Sequence, residues 1–280
     1  MIQIGELTRE ERRKLAVKHF DDITNDKEIY NDIVYSIYNT NIYNVDNFKD
    51  VNVNFHSNFH TKISVTDNDT VTELFSMPRD GKNITILNFA SYKNPGGMYY
   101  QGSSAQEEFL CHHSTLYPVL SNFVRDYYDI NKKNLNYALY KNTGMYSCDI
   151  RFFDYHLDQS NITYDNTVLA DVITCAAPNV TTFKKYQSKR LGLTSEQERK
   201  LIYDSMYDRC KLILGIAAYK GTEKLILGAF GCGVFGNDPY MVAEIFLKLL
   251  FEEFPGVFDE VRFAIPKGKN YDAFKKVFKA

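Results

Sequence analysis

The hydrophobic positions in the second half of the chain alternate between short β-branched runs and longer stretches with helical spacing. The short runs predict four strands, at residues 83–90 (NITILNFA), 168–176 (VLADVITCA), 224–230 (KLILGAF) and 260–265. The longer stretches predict helices at residues 104–120, 194–218, 239–254 and 271–278. Because strands alternate with helices from about residue 83 onwards, we expect a mostly parallel sheet covered on both faces.

The first 80 residues have a weaker pattern. Residues 7–25 predict a helix, with Thr8 as its cap and Glu11 three residues later in the position of a capping box. A second helix is predicted at 27–38. The remainder is rich in Asn, Asp, Thr and Tyr, and we expect loops with one or two edge strands, one of them at 51–55.

Composition narrows the class of protein. The chain has 280 residues and a formal net charge of −2, which argues against binding nucleic acid through a broad basic surface. No apolar run is long enough to span a membrane, and the charged first 20 residues do not resemble a secretory signal. The five cysteines are widely spaced and form no C-x-x-C pair, as expected in a reducing compartment. We therefore expect a soluble cytoplasmic protein.

A glycine-rich loop follows the third predicted strand. Gly231, Gly233 and Gly236 form a G-x-G-x-x-G pattern that ends shortly before a predicted helix. Such a loop lets the backbone approach a ligand closely, and the start of the helix favours an anion, so we predict a diphosphate-binding loop. A tight strand-to-helix connection is the alternative. A dinucleotide-binding site for hydride transfer is disfavoured, because Glu252 and Glu253, at the required distance, belong to a helix.

A second glycine turn, at residues 94–97, follows the first of these four strands, and Gln106, Glu107 and Glu108 come shortly after it. Glutamates in a first helical turn can simply favour the helix dipole, and Ser103 with Gln106, or Ser104 with Glu107, would form a capping box. However, two glycine loops at the carboxyl ends of two strands predict one crevice at that edge of the sheet. The two acids would then face a diphosphate ligand.

The adjacency of Glu107 and Glu108 limits what they can do. Neighbouring helical positions point about 100° apart, so the pair cannot flank opposite faces of one anomeric carbon. If a glycosidic bond is cleaved here, one glutamate must be both acid and base while the other holds the ribose.

Two long motifs resemble a known family. The segments LNFASYKNPGGMYYQGSSAQEEFLCHHSTLYP (87–118) and LGAFGCGVFGNDP (227–239) are similar to the signatures of microbial-type poly(ADP-ribose) glycohydrolases, a branch of the macrodomain superfamily. The resemblance implies a three-layer α/β/α macrodomain with a mixed, mostly parallel sheet. It also implies an extension at residues 1–75 before a catalytic core at 76–280. The implied substrate is poly(ADP-ribose) or an ADP-ribosylated macromolecule, the product is ADP-ribose, and neither metal nor other cofactor is expected.

The resemblance also assigns roles to residues. Glu108 corresponds to the catalytic acid/base and Glu107 to the glutamate that binds the ribose beside the scissile bond. The other residues implied in ADP-ribose binding are Asn88, Pro95, Gly96, Gly97, Gln106, Gly231, Cys232, Gly233, Val234, Phe235, Gly236 and Asn237, with Phe235 positioning the ribose. Met98 stands where the family has a third glycine. Its side chain either points to solvent or narrows the site around the distal ribose.

Other functions stay open at this point. An ADP-ribose reader altered at Met98 is the first alternative, although binding alone needs no acid/base. A hydrolase for single ADP-ribose units on protein or nucleic acid is the second, and an oxidoreductase is last. We expect His112 and His113 to form hydrogen bonds on the helix rather than bind metal. The basic residues at 184–185 and 189–190 are either a solvated loop or a contact for polymer charges.

Overall fold

The computed structural model describes residues 4–44, 48, 60–158 and 161–279. The strand predicted at 51–55 lies outside these residues. The strands are β1 (Asn41–Asn44), β2 (Lys62–Thr66), β3 (Ile84–Phe89), β4 (Thr143–Asp158), β5 (Asn161–Cys175), β6 (Lys224–Leu227) and β7 (Glu260–Ala264). The α-helices are α1 (Arg9–Asn25), α2 (Lys27–Tyr38), α3 (Thr70–Ser76), α4 (Gln106–His112), α5 (Leu116–Ser121), α6 (Asp129–Lys133), α7 (Val180–Tyr186), α8 (Ser195–Tyr219), α9 (Pro239–Lys248) and α10 (Lys269–Phe278).

The described strands form one mixed, mostly parallel sheet in the order β1-β4-β5-β3-β6-β7-β2. Strands β3, β6, β7 and β2 are parallel to their neighbours and β5 is parallel to β3, whereas β4 is antiparallel to both β1 and β5. The parallel sheet predicted from the alternating pattern is confirmed. The carboxyl ends of β3, β6 and β7 therefore lie at one edge, and the loops that follow them meet there.

Helices cover both faces of the sheet. Alternate strand residues point to opposite sides, so that Leu225 and Leu227 of β6 join one buried cluster while Ile226 joins the other. Helices α8, α9 and α10 supply the first cluster, and α1 to α5 supply the second. The α/β/α layering expected from the sequence is confirmed.

Sequence signals for helix starts agree with the structure at both capping boxes. Thr8 accepts a hydrogen bond from the amide of Glu11 and Glu11 accepts one from the amide of Thr8, and Thr194 and Gln197 do the same at the start of α8. Asp238 caps α9, with Pro239 in its first turn.

The prediction of one continuous helix at 104–120 is wrong. It is two helices, α4 and α5, separated at residues 113–115. The backbone there pairs with β4: the amide of Thr115 donates to the carbonyl of Arg151, and the amide of Phe153 donates to the carbonyl of His113. Because these backbone groups are hydrogen-bonded to β4, they are not available for the hydrogen bonds that would continue the helix. The sequence pattern also missed β4 altogether, and it shortened β5, which begins at residue 161 and not 168.

The first 75 residues contribute both edge strands, β1 and β2, of the same sheet. Helix α1 also supports the segment between the glycine turn and α4. The Arg9 and Arg12 guanidinium groups donate to the carbonyls of Gln101 and Gly102, each at 2.8 Å, and Tyr99 donates to the carbonyl of Ala16 at 3.1 Å. Residues before position 75 are therefore packed directly against the loop that carries the candidate site.

Candidate active site

The glycine loop after β6 and the start of α4 line a common cavity at the carboxyl edge of the sheet. A cavity of about 660 Å³ opens between the connections that follow β3, β6 and β7. Of the residues predicted to bind the ligand, Gln106, Gly231, Gly233, Val234 and Phe235 line this cavity. A crevice is therefore present at the predicted edge beside the 231–236 loop, whereas the 94–97 turn and the two glutamates do not line it.

Gln106 joins the start of α4 to the end of β3. Its side-chain oxygen accepts a hydrogen bond from the amide of Phe89, and its side-chain nitrogen donates to the carbonyl of Leu87, both at 2.8 Å. The capping boxes suggested for Ser103 or Ser104 do not form, because Ala105 is the cap residue and contributes no side-chain bond. Gln106 therefore ties the first turn of α4 to the end of β3, and no side chain caps the helix.

Glu107 is almost fully buried, with 3% of its surface exposed, and both carboxylate oxygens are in use. One accepts a hydrogen bond from the amide of Ser91 at 2.7 Å, and the other accepts one from the side-chain nitrogen of Asn88 at 3.3 Å. Burial raises the pKa of Glu107 to about 8, against the opposing Ser91 hydrogen bond, and the neighbouring Glu108 carboxylate raises it further. Glu107 is thus mostly protonated at neutral pH.

Glu108 is also buried, but only one of its carboxylate oxygens is committed. Oε1 accepts a hydrogen bond from the amide of Met98 at 2.8 Å. Oε2 is inaccessible and has no hydrogen-bond partner among the described residues. A buried carboxylate oxygen without a partner is costly, and it is typical of a position where a ligand supplies the missing group.

Gly97 is the point at which the glycine turn meets both carboxylates. Its φ is +59°, and a Cβ there would lie 3.0 Å from Glu107 Oε2 and closer still to Glu108 Oε1. Gly96, at φ +61°, is equally restricted, since a Cβ would clash with the ring of Tyr117. Glycine is therefore required at both positions, for backbone conformation and for space.

Met98 does not need to be glycine. Its φ is −114°, which any residue adopts, and its side chain is 46% exposed and does not line the cavity. Of the two possibilities left by the sequence, the structure places this side chain toward solvent. The Met98 amide, not its side chain, contacts the site.

The loop after β6 is held by hydrogen bonds from its own end and from α7. The Asn237 side-chain nitrogen donates to the carbonyls of Gly231 at 2.9 Å and Pro178 at 2.8 Å. Thr181 donates through its amide to the carbonyl of Phe235 and through its hydroxyl to that of Val234. A Cβ added at Gly233 would have no described atom within 4 Å, so the backbone there is open to a ligand.

Phe235 is anchored from outside its loop. The ring lines the cavity and meets Tyr140 edge-to-face, with ring centroids 6.1 Å apart, and Tyr140 stacks on Tyr92 at 4.2 Å. The neighbouring residues of the loop offer no support for this ring, and its partner Tyr140 is nearly 100 residues away in the chain, so the sequence does not predict the contact. The aromatic contact fixes where Phe235 sits relative to the glutamates.

Several predicted residues lie behind the cavity wall. Asn88, Glu107, Glu108 and Asn237 are buried next to it, and Pro95, Gly96, Gly97, Cys232 and Gly236 belong to the loops that frame it without lining it. Sequence reasoning missed Asp69, Thr70, Phe109 and the 264–270 segment, which do line it. The position of 265–270 after the last parallel strand was an available signal, since such ends share one edge of the sheet.

His112 and His113 follow the two glutamates at the end of α4. Within the described part of the chain no group of three or more metal-ligating side chains occurs. His113 bonds to the carbonyl of Phe109 at 2.9 Å, as predicted, whereas neither ring nitrogen of His112 has a partner among the described residues. Burial lowers the pKa of His112 to about 2, so its ring is neutral. The described helices include none that is long and apolar enough to cross a membrane.

Comparison with known proteins is consistent with this geometry. The sequence profile of the microbial-type PARG catalytic domain matches residues 11–154, just over half of the chain and including both glutamates. The chain belongs to this family. A comparison with curated proteins finds no match.

Solved structures of the family are similar over most of the chain. The poly(ADP-ribose) glycohydrolase of Deinococcus radiodurans in complex with ADP-ribose is 30% identical, with a TM-score of 0.76 over 88% of this chain and 97% of that one. The enzyme of Thermomonospora curvata is 27% identical, with a TM-score of 0.80 over 96% of this chain and 100% of that one. The same enzyme bound to the inhibitor ADP-HPD gives a TM-score of 0.77 at 27% identity, over 96% and 99% of the two chains.

Proposed function

We propose that this chain hydrolyses the ribose–ribose O-glycosidic bond of poly(ADP-ribose) and releases ADP-ribose, without a metal ion. Family membership supports the reaction, since the similar structures are glycohydrolases with ADP-ribose or an inhibitor bound. The observation that carries the proposal is the buried Oε2 of Glu108, which has no partner among the described residues and lies beside the glycine turn. Binding of ADP-ribose alone needs no acid/base at this position.

The two glutamates take different roles in this proposal. Both oxygens of Glu107 are occupied by Ser91 and Asn88, so Glu107 is held in place and can orient the ribose. Glu108 keeps one oxygen for the glycosidic oxygen of the substrate. Glu108, whose second oxygen has no partner among the described residues, is the general acid in this proposal.

Glu108 would give its proton to the leaving ribose oxygen as the bond to the anomeric carbon breaks. The resulting oxocarbenium ion is stabilised by the negative diphosphate of the substrate, held by the 231–236 loop. A water molecule then adds to the anomeric carbon, and the Glu108 carboxylate accepts its proton. One residue is both acid and base, as the adjacency of the pair requires.

The superfamily, the extent of the binding site and the cellular location belong to the same proposal. The fold is that of a macrodomain with a catalytic core at 76–280, and the extension at 1–75 is joined to that core through β1 and β2 of the same sheet. The loop residues from Gly231 to Asn237, together with Pro95, Gly96 and Gly97, form the ADP-ribose site. All five cysteines are free, which supports a location in a reducing, cytoplasmic compartment.

The decisive experiment replaces Glu108 by glutamine. Glu108→Gln keeps the shape and the acceptor for the Met98 amide but cannot deliver and retrieve a proton, so we expect turnover of poly(ADP-ribose) to fall by about 10²–10⁴-fold. Affinity for ADP-ribose, measured by calorimetry, should stay within several-fold of wild type. The exposed Glu10→Gln is a matched control on α1 and should retain full activity.

Turnover of Glu108→Gln within tenfold of wild type would refute the assignment of the acid/base. If Glu107→Gln is inactive while Glu108→Gln is active, the roles of the two residues are exchanged. Products should be resolved by chain length, because release of single ADP-ribose units from a polymer separates this function from cleavage of single-unit conjugates.

A further inference from the structure

A segment of strained backbone connects α6 to β4. Four of its residues have a positive φ: Asn136 (+41°), Tyr137 (+54°), Ala138 (+74°) and Tyr140 (+62°). The left-handed region is unfavourable for every residue except glycine, and such residues usually occur singly. A cluster of them persists only where the surrounding structure imposes it, and it is typical of functional regions. We call residues 134–141 the strap.

Hydrogen bonds within the strap fix this conformation. The amide of Asn136 donates to the side-chain oxygen of Asn134 at 3.0 Å, and the side-chain nitrogen of Asn136 donates to the carbonyl of Tyr140 at 2.9 Å. The amides of Ala138 and Tyr140 both donate to the carbonyl of Leu135, at 2.8 and 3.2 Å. The strap is therefore a closed turn held by its own backbone and its asparagine side chains.

The strap contains no glycine, although glycine adopts a positive φ without strain. The side chains at the strained positions are in use instead. Asn136 closes the turn, and Ala138 is buried in a small apolar cluster with Phe183 of α7. The ring of Tyr140 is 7% exposed and packs against two other aromatic rings. The strained backbone is thus the conformation that delivers these contacts.

The hydroxyl of Tyr92 fastens both ends of the strap to the loop after β3. It donates to the carbonyl of Asn134 and accepts a hydrogen bond from the amide of Lys141, each at 3.1 Å. Tyr92 is 2% exposed and directly follows Ser91, whose amide binds Glu107. The ends of the strap are therefore fixed relative to the group that holds one of the two glutamates.

The ring of Tyr140 carries the strap to the loop after β6. It stacks on Tyr92 with the ring planes 8° apart, and its other contact is the edge-to-face meeting with Phe235. Tyr92, Tyr140 and Ala176 form a buried cluster against which Phe235 packs. Aromatic contacts of this kind depend on orientation. One side chain of the strap therefore contacts a residue from each of the two loops that carry the candidate site.

We propose that the strap sets the position of Phe235 relative to Glu107 and Glu108, with Tyr140 as the positioning residue. This inference rests on the proposed function, in which Phe235 orients the ribose. Tyr140 does not line the cavity of the candidate site, so it acts through Phe235. Loss of its ring lets Phe235 leave the geometry in which Glu108 reaches the glycosidic oxygen, and the chemical step is affected more than the binding of ADP-ribose.

The experiment is a double-mutant cycle between Tyr140 and Phe235. Tyr140→Ala removes the ring, and Tyr140→Phe keeps it as the conservative rescue. Tyr137→Ala is the matched control, because Tyr137 is also in the strap at positive φ but is 51% exposed. Each variant is assayed for kcat on poly(ADP-ribose) and, by calorimetry, for the Kd of ADP-ribose. Tyr140→Ala is then repeated in the Phe235→Ala background.

We expect Tyr140→Ala to lower kcat by about 10–10²-fold, with the Kd of ADP-ribose within several-fold of wild type. Tyr140→Phe and Tyr137→Ala should both keep wild-type kcat. In the Phe235→Ala background, Tyr140→Ala should cost less than about twofold, because the residue through which it acts is no longer there. A purely structural role would lower kcat equally in both backgrounds.

Two further measurements decide the question if Tyr140→Ala does not fold. Tyr92→Phe keeps the aromatic stack but removes the hydroxyl that binds both ends of the strap, so kcat should fall while the Kd of ADP-ribose is maintained. A para-fluorophenylalanine at position 235 reports the ring's surroundings by fluorine NMR without any need for activity. Its resonance should be the same in wild type and Tyr140→Phe, and displaced in Tyr92→Phe.

Equal losses of kcat from Tyr140→Ala in the two backgrounds would overturn this inference and leave the proposed function intact. Wild-type kcat in Tyr92→Phe, together with an undisplaced fluorine resonance, would overturn it as well. Absence of poly(ADP-ribose) hydrolysis by wild type would refute the proposed function instead. The fluorine resonance then decides by itself whether the strap holds Phe235 in place.

Discussion

The contact between Gly97 and the two glutamates makes a sharp prediction. In Gly97→Ala the new Cβ would lie 3.0 Å from Glu107 Oε2, where ordinary contact begins at 3.4 Å, so this oxygen must move by about 0.4 Å and Glu108 Oε1 by more. Both oxygens hold hydrogen bonds to the loop at 2.7 and 2.8 Å that resist such movement. Misplacement of this order at a catalytic group costs about 10²-fold in turnover.

The φ of +59° adds a separate effect on stability. An alanine in this conformation costs about 1–2 kcal/mol relative to glycine, and the clash adds about 1–3 kcal/mol of overpacking. Gly192→Ala is the matched control, because Gly192 has φ +64° and nothing within 4 Å of the added Cβ. It should therefore show the cost of backbone strain alone, with normal turnover.

The assay combines turnover of poly(ADP-ribose) with denaturant unfolding of both variants. We expect Gly97→Ala to lose about 10²-fold in kcat and to unfold more easily than Gly192→Ala. If Gly97→Ala keeps wild-type kcat, the carboxylates are not held against this glycine as the geometry requires. If the two variants lose equal activity, strain and not displacement of the glutamates is responsible.

The remaining predictions concern pH, Phe235, Met98 and ligands. Because burial raises the pKa of Glu107 from 4.5 to about 8, the folded state favours its protonated form. The contribution of this group to the free energy of unfolding is therefore fully present below about pH 4.5 and is lost as the pH rises toward 8. Denaturant unfolding should show this slope in wild type, at most about 1.4 kcal/mol per pH unit, and a smaller one in Glu107→Gln. Phe235→Ala should lower kcat more than it weakens ADP-ribose binding, and equal losses would contradict a positioning role. Met98→Gly should leave the ratio of activities on long and short polymers unchanged, since the side chain faces solvent; a changed ratio would show that it reaches the substrate. The melting temperature should rise with ADP-ribose and stay constant with EDTA, and loss of activity in EDTA would reveal a required metal.

Local signals in the sequence determined a large part of the fold. The capping residues at Thr8 and Thr194 placed the starts of α1 and α8, and the β-branched runs located β3, β6 and β7, because caps and strand propensity depend on neighbours in the chain. The glycine loop directly after β6 predicted one wall of the cavity for the same reason. These features need only a few consecutive residues to be specified.

Tertiary structure alone decided the features that depend on distant partners. Residues 113–115 leave the helical pattern because they pair with β4. Glu107 and Glu108 differ in hydrogen bonding, because Ser91 and Asn88 bond to both oxygens of Glu107 and Met98 bonds to only one of Glu108. Phe235 is held by a tyrosine nearly 100 residues away, a contact that no local pattern expresses. Hydrogen bonds and packing between remote segments are settled only when the whole sheet and its covering helices have formed.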